Sequence, residues 1–126
     1  MVVYQKISKR KSSGGRYITA NKKRLANMGS IPTLTKVGDR KVKFRRMVGG
    51  TLKQILLSAD KINVLNPKTK KIQKTEIVTV ADSPANRNFI RRNIITKGTI
   101  LETKLGKVKI TSRPGQNGSL SGVLIS

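Results

Sequence analysis

Residues 9–16 read KRKSSGGR, in which Lys9, Arg10, Lys11 and Arg16 enclose two serines and two glycines with no acid nearby. Such residues cannot build a core, so the chemistry open to them is anion binding. Ammonium and guanidinium groups donate to phosphate oxygens, arginine bidentately, and Gly14-Gly15 lets a backbone approach a polyanion closely. Lys22, Lys23 and Arg24 repeat the theme in NKKRLANMG, and Arg45-Arg46 do so further along. In RNFIRRNIITKG, residues 87–98, Arg87, Arg91, Arg92 and Lys97 fall around Phe89, Ile90, Ile94 and Ile95. If residues 87–92 turn, three guanidiniums converge on one phosphate-rich groove. If they extend, Arg91 and Arg92 point to opposite faces, and the cations only guard a strand edge. In TSRPGQNG, residues 111–118, Pro114 and Gly115 suit the centre of a type II turn, and Asn117-Gly118 opens a second tight turn. That loop either holds Arg113 outward on a preset backbone or simply joins two strands.

The whole composition agrees with anion binding and excludes much else. Lys and Arg total 28 against 5 acids, a formal net charge of +23 with a pI near 11.5. Self-repulsion of that size opposes a compact state unless a polyanion supplies negative charge. There is no Cys for disulfides, thiolate chemistry or metal, and no His for general-base catalysis. The acids Asp39, Asp60, Glu76, Asp82 and Glu102 stand singly, without metal-ligand or acid–base spacing. They are expected in ion pairs and caps. The chain is therefore not expected to be an enzyme, nor to take a cofactor, a metal or a small-molecule substrate. No apolar run approaches a membrane span, and the opening MVVYQKISKR lacks a signal-peptide apolar region. A cytoplasmic protein without a membrane partner is expected. A secreted cationic protein acting on membranes or acidic polysaccharide would ordinarily carry a signal peptide, disulfides or an amphipathic helix.

Aromatics narrow the choice of nucleic acid. They make up 3% of the chain, with no Trp. Phe44 and Phe89 are expected in the core, which leaves Tyr4 and Tyr17 as candidates for base stacking. Binding must then rest mainly on phosphates and shape. No helix-turn-helix, zinc-finger or basic-zipper pattern fits a DNA major groove. A folded RNA reached by both an arm and a globular face is favoured over a sequence-independent coat on DNA or RNA.

Two kinds of chain must position these cations. Residues 1–35 hold scattered apolar residues without a sustained period and read as a basic RNA-binding extension, largely irregular and disordered when free. Within it NKKRLANMG allows one or two helical turns, capped by Asn21 and ended by Gly29. Residues 36–126 hold seven short β-rich runs about ten residues apart. These are KVKF, TLKQILLS, KINVLN, KIQKTEIVTV, TILET, KVKITS and SLSGVLIS. Arg45-Arg46 breaks the alternation of KVKF, which marks a bulge or a strand end. In KIQKTEIVTV the residues Ile72, Val78 and Val80 share one face, together with Lys74 and Glu76. One helical turn is expected at Ser83-Pro84-Ala85-Asn86. The fold class is mainly β: a small antiparallel β-barrel-like domain with a basic N-terminal extension.

KRKSSGGR, NKKRLANMG, the Ile31-Pro32-Thr33 step and above all RRNIITKGTILETKLGKVKITSRPGQNG run nearly end to end along the chain. In them the sequence resembles the eukaryotic-type small-subunit ribosomal protein eight family, in its short archaeal form. Lys11-Ser12-Ser13-Gly14-Gly15 is similar to the family's basic–x–Ser/Thr–Gly–Gly signature. The chain departs from the family's pattern at Ala26-Asn27, where an aromatic–acid pair is common, and at Ser30, where a basic residue is common. The resemblance implies a β-barrel-like core and a basic extension bound to small-subunit ribosomal RNA among neighbouring ribosomal proteins.

Overall fold

A computed structural model describes residues 8–18, 22 and 24–125. The chain divides into two compact units, Met1–Pro32 and Thr33–Ser126. The second begins just ahead of its first strand, whereas composition places the boundary after residue 35.

In the first unit KRKSSGGR closes on itself. The Lys11 and Gly15 backbones join through Lys11 N–H to Gly15 O at 2.7 Å, and Gly14 N–H donates to Lys11 O at 3.0 Å. Gly14 takes φ +84°, while Arg10 and Arg16 form an antiparallel bridge. This is a three-residue hairpin loop, a turn followed by one left-handed residue, a position that glycine fills without strain. The second glycine-ended motif, NKKRLANMG, holds a single 3-10 turn at Leu25–Asn27. Its expected cap, Asn21, lies outside the described residues.

Among the described residues the second unit is built from nine strands, one short 3-10 segment at Val48–Gly50 and one α-helical turn. The strands are β1 (Thr35–Val37), β2 (Lys41–Arg46), β3 (Leu52–Ala59), β4 (Lys61–Leu65), β5 (Ile72–Asp82), β6 (Ile94–Ile95), β7 (Ile100–Thr103), β8 (Gly106–Ile110) and β9 (Ser121–Leu124), with α1 at Asn88–Arg91 between β5 and β6. Strands β4, β5, β7, β8 and β9 form a closed barrel, and β2, β3, β1 and β6 a four-stranded sheet in that order. The barrel closes by a parallel pair, Val64 beside Gly122. Four antiparallel steps leave the fifth strand running with the first, so closure of this five-stranded path must be parallel.

Strict alternation builds the core. Ile62 and Val64 point inward from β4, Leu101 from β7, and Val108 and Ile110 from β8, while Lys61, Lys107 and Lys109 stay outside. Leu56, Ala59, Ile95 and Leu120 join them in one cluster. Asp60 alone separates β3 from β4, so one chain segment passes directly from sheet to barrel.

Several expectations are corrected. The register of β5 against β7 shifts between Ile77 and Thr79 and again between Val80 and Asp82. Each bulge reverses which face looks inward. Thr75 and Val80 are therefore buried, while Ile72 and Val78 are 71% and 56% exposed, contrary to the shared face read from simple alternation. Pro84-Ala85 makes only a turn, and the helical residues come at α1, where the Asn86 side chain accepts the Asn88 N–H at 2.9 Å. Phe44 is not a core residue: it is 63% exposed, and Phe89 is half-buried. The hairpin of β2 and β3 continues past the half-buried Val42 and its buried partner Leu56, and carries Phe44 out with it. Arg45-Arg46 does mark the end of β2.

Four of the five acids serve local ends. Asp60 pairs with Lys61 at 3.8 Å, Glu76 pairs with Lys104, Glu102 accepts from the Thr79 hydroxyl at 3.2 Å, and Asp82 accepts the Ser83 N–H at 2.7 Å. The hydrogen bond and charge of Lys104 hold the Glu76 carboxyl below its ordinary value, with a lesser contribution from Lys61. A carboxyl depressed in the folded state adds stability above its unfolded value and loses it as pH falls through the folded one. Both side chains are solvent-exposed, so the effect on stability is small. Lys104→Met is expected to raise the Glu76 midpoint in an NMR titration towards the ordinary carboxylate range, leaving the melting temperature at neutral pH nearly unchanged. An unmoved midpoint would show that Lys104 is not the cause.

Candidate nucleic-acid interface

In the first unit every described cation of the predicted set is exposed: Lys9, Arg10, Lys11, Arg16, Lys22 and Arg24. Lys23 and Tyr4 lie outside the described residues. The hairpin register sets Arg10 opposite Arg16, and the Arg10 guanidinium donates to Gly14 O at 3.2 Å. The Lys11 ammonium stands 5.5 Å from the centroid of the half-exposed Tyr17 ring, within cation–π range. Space for a side chain is open at Gly14, where a Cβ would meet nothing within 4 Å. The demand for glycine there is its backbone angle.

In the second unit the barrel carries its own lysines, and most of the predicted contact residues stand at the two edges of the four-stranded sheet. Edge strand β2 carries Lys41, Lys43, Arg45 and Arg46. At the other edge, beside β6, stands the turn of α1. Residues 87–92 turn rather than extend, so Arg87 and Arg91 lie one helical turn apart on a common side, with Arg92 about 100° further round. All three are exposed, while Ile90 packs against the core and Ile94 and Ile95 are buried. The apolar half of RNFIRRNIITKG thus anchors the motif, and its basic half faces out. Lys97 follows in an exposed turn. Three strand spacings, about 14 Å, separate the two edges, so the structure does not draw Arg45-Arg46 and Arg87-Arg91-Arg92 into one cluster.

The TSRPGQNG loop lies along β3 where the short β1 leaves that strand uncovered. Leu56 N–H donates to Pro114 O at 3.1 Å, and the Lys53 ammonium donates to the Gln116 amide oxygen. Gln116 and Asn117 N–H both reach Arg113 O at 2.8 Å. Their shared acceptor makes one continuous helical turn, so Gly115 keeps an ordinary φ, and the type II turn expected there is absent. A Cβ at Gly115 would stand 3.4 Å from Thr33 O, an ordinary contact distance, so neither space nor backbone angle demands glycine there. Arg113 itself points to solvent.

The electrostatics of these residues are unusual for a protein alone. Arg45 stands directly across from Lys53, as Arg10 does from Arg16. Like charges opposite one another in an antiparallel pair repel. Among the described residues the two ion pairs already given, Asp60 with Lys61 and Glu76 with Lys104, leave neither of these repulsions neutralised.

Sequence reasoning missed a further group. A cleft of about 450 Å³ is lined by Arg40, Lys61, Asn63, Lys74 and Asp60, with Gly118 and Ser119 at its rim and Leu56 among its walls. Asn63 and Lys74 are cross-strand partners on β4 and β5. Their exposure was legible from alternation, but the proximity of Arg40 follows from a contact of its guanidinium with Gly118 O, 78 residues away and at 3.4 Å. No local pattern encodes that.

Comparison with known proteins adds the family. The model of ribosomal protein S8e matches residues 4–125. The chain is 50% identical over 122 residues to the small ribosomal subunit protein eS8 of Nanoarchaeum equitans, covering 97% of this chain and 96% of that protein. It is 44% identical over 126 residues to the protein of the same name from Sulfolobus acidocaldarius, covering 99% and 98%. With that of Methanocella arvoryzae the identity is 43% over 123 residues, covering 98% of each. The resemblance carried by KRKSSGGR, RRNIITKG and TSRPGQNG is thus matched along almost the whole length, and the chain belongs to the ribosomal protein S8e family.

Proposed function

We propose that this chain is a structural constituent of the small ribosomal subunit in the cytoplasm, held to ribosomal RNA by phosphate contacts of its basic extension and of its sheet edges. The observation that carries this reading is the pair of opposed cations, Arg10 with Arg16 and Arg45 with Lys53, on a chain of net charge +23. Phosphates placed between such cations turn repulsion into attraction and release the counterions of the RNA. Lys9, Arg10, Lys11, Arg16, Lys22, Lys23 and Arg24 supply the extension. Arg45, Arg46, Arg87, Arg91, Arg92, Lys97 and Arg113 supply the globular face. Gly14 sets the hairpin that displays the first of these, and Gly15 lies beside it. The work is structural: a protein that binds one RNA conformation preferentially shifts the population towards it. Neighbouring ribosomal proteins complete the surroundings, and no catalytic step, cofactor or small-molecule substrate enters.

The test is competition across a salt series. Labelled small-subunit ribosomal RNA is set against excess unrelated structured RNA and duplex DNA. With roughly six to ten phosphate contacts, affinity is expected to fall by about three to five decades between 50 and 200 mM salt, while preference for the ribosomal RNA persists at the high-salt end. Equal competition by every polyanion would replace this reading with that of a general nucleic-acid coat.

A further inference from the structure

Phe44 stands outside the core. A phenylalanine in a strand ordinarily buries its ring, yet this one is 63% exposed, on the face of the hairpin opposite to the Arg45–Lys53 pair. Its position in the β2–β3 ladder fixes its neighbours. Phe44 is paired with Gln54 and Arg46 with Leu52, so all four side chains share one face. Leu52 is exposed as well. The same face continues inward to the half-buried Val42 and the buried Leu56, which fix the hairpin to the core. Phe44 is therefore presented on a rigid strand.

The surroundings state what kind of partner fits the ring. Arg46 shares the face of Phe44, whereas Lys43, Arg45 and Lys53 lie on the reverse face of the hairpin, and neither β2 nor β3 carries an acid. The face then leads to the cleft. Gln54 packs against Gly118 so closely that a Cβ there would overlap its side chain, and Gly118 lines the cleft with Arg40, Lys61 and Lys74. Asp60 also lines it but is paired with Lys61. An exposed ring on a sheet, with Arg46 on its face and a basic concavity adjoining that face, matches an unpaired nucleotide: the base stacks on the aromatic ring, and the phosphate meets the cationic groups. An acidic protein segment would satisfy the cations but would leave the ring without a planar partner.

We infer that Phe44 is a base-stacking residue, and that the face it shares with Gln54 and the Arg40–Lys61–Lys74 cleft forms a binding site for an unpaired RNA nucleotide. This rests on the proposed RNA-binding role, refining it from phosphate contacts alone to one aromatic contact with a base.

The experiment uses the full chain and two probes. One is small-subunit ribosomal RNA; the other is an unstructured RNA oligonucleotide carrying the fluorescent base 2-aminopurine. The parent protein is expected to quench the 2-aminopurine emission. Phe44→Ala should abolish the quenching and weaken binding to the ribosomal RNA by about 5- to 150-fold, the range of one base–aromatic stack. Phe44→Tyr should restore both. Because the ring is mostly exposed, the melting temperature of Phe44→Ala should stay at the parent's, so a loss of folding is not the cause. Lys61→Met with Lys74→Met should weaken binding most at low salt, and so flatten the salt dependence, without abolishing the quenching. If Phe44→Ala binds and quenches as the parent does while the parent still prefers ribosomal RNA, stacking is overturned and the phosphate reading stands. If Phe44→Ala binds RNA normally but no longer enters reconstituted subunits, the ring serves a protein contact and the inference is wrong. If the parent shows no preference for ribosomal RNA, the ribosomal reading fails, and the oligonucleotide quenching still decides the role of Phe44.

Discussion

Replacing Lys9, Arg10 and Lys11 together with alanine is expected to lower affinity for small-subunit ribosomal RNA by about two decades at 0.2 M salt. The figure follows from counterion release. Each neutralised duplex phosphate contributes about 0.9 to the slope of log affinity against log salt, so three lost contacts flatten the slope by about 2.7. Referred to 1 M salt, where the release term vanishes, that slope is worth about 1.9 decades at 0.2 M and about 3.5 at 50 mM. The three residues are exposed, and none belongs to the buried core, so the melting temperature of the variant should match that of the parent. A further consequence concerns the hairpin itself. Removing Arg10 relieves its repulsion from Arg16 but also takes away its hydrogen bond to Gly14 O, and removing Lys11 takes away its contact with Tyr17. It is therefore the flattened salt slope that assigns the loss to phosphate contacts rather than to a weakened hairpin. Unchanged affinity at physiological salt would exclude the extension from the interface. Reduced affinity with an unchanged slope would mean that the three side chains act other than through phosphates.

The parts of the fold that were legible in the sequence are those decided within a few residues. Lys107-Val108-Lys109-Ile110 reads as a strand with an inner and an outer face because nothing interrupts its period of two, and β8 follows it. Asn66-Pro67-Lys68 reads as a turn, and the Asn66 side chain accepts the Lys68 N–H at 3.0 Å there. The β5 strand was misread because a bulge depends on the register of the partner strand, and the same residues without β7 would show plain alternation. The two-residue strand β6 went unseen because Ile94-Ile95 is too short to carry a period; both side chains are buried because elements distant in sequence cover them.

The candidate interface divides in the same way. Clusters of Lys and Arg declare themselves by type, and so the basic residues of KRKSSGGR and RRNIITKG could be named before any coordinates. The hairpin in KRKSSGGR was missed because its apolar residues are few, although Gly14 after two serines is a local turn signal. Exposure of Phe44 could not be read, since an apolar residue in an alternating strand is ordinarily an inward one. What decides it is how far the β2–β3 hairpin runs beyond the core. The cleft of Arg40, Lys61 and Lys74 depends on strand pairing and on a loop from the far end of the chain. Charge is written locally, but the concavity that would concentrate it is not.

Barrel closure supplies the largest expected effect on stability. Strand β9 alone joins β8 to β4, with Gly122 opposite Ile110 on one side and beside Val64 on the other. A Cβ at Gly122 would stand 2.6 Å from Val108 Cγ1, 2.8 Å from Lys109 O and 3.2 Å from Ile62 Cδ1. Val108 and Ile62 are buried core residues, and the Lys109 oxygen belongs to the backbone of the adjacent strand. Neither side can yield without moving β8 away from β9. Inserting even a methyl group into a filled core commonly costs about 1–3 kcal/mol, and a backbone obstacle puts Gly122→Ala near the upper end. Gly122→Val, with two more methyls in the same space, should open the closure outright. Once β9 is displaced, β4 and β8 both present unpaired edges, so aggregation should accompany unfolding. Urea denaturation followed by circular dichroism measures the first effect, and light scattering on heating measures the second. Ser121→Ala, one residue away with a half-buried side chain, is the control expected to change stability by less than about 1 kcal/mol. A Gly122→Ala protein with the parent's urea midpoint would mean that β9 has room beside β8, and that the barrel is not closed as tightly as its register requires.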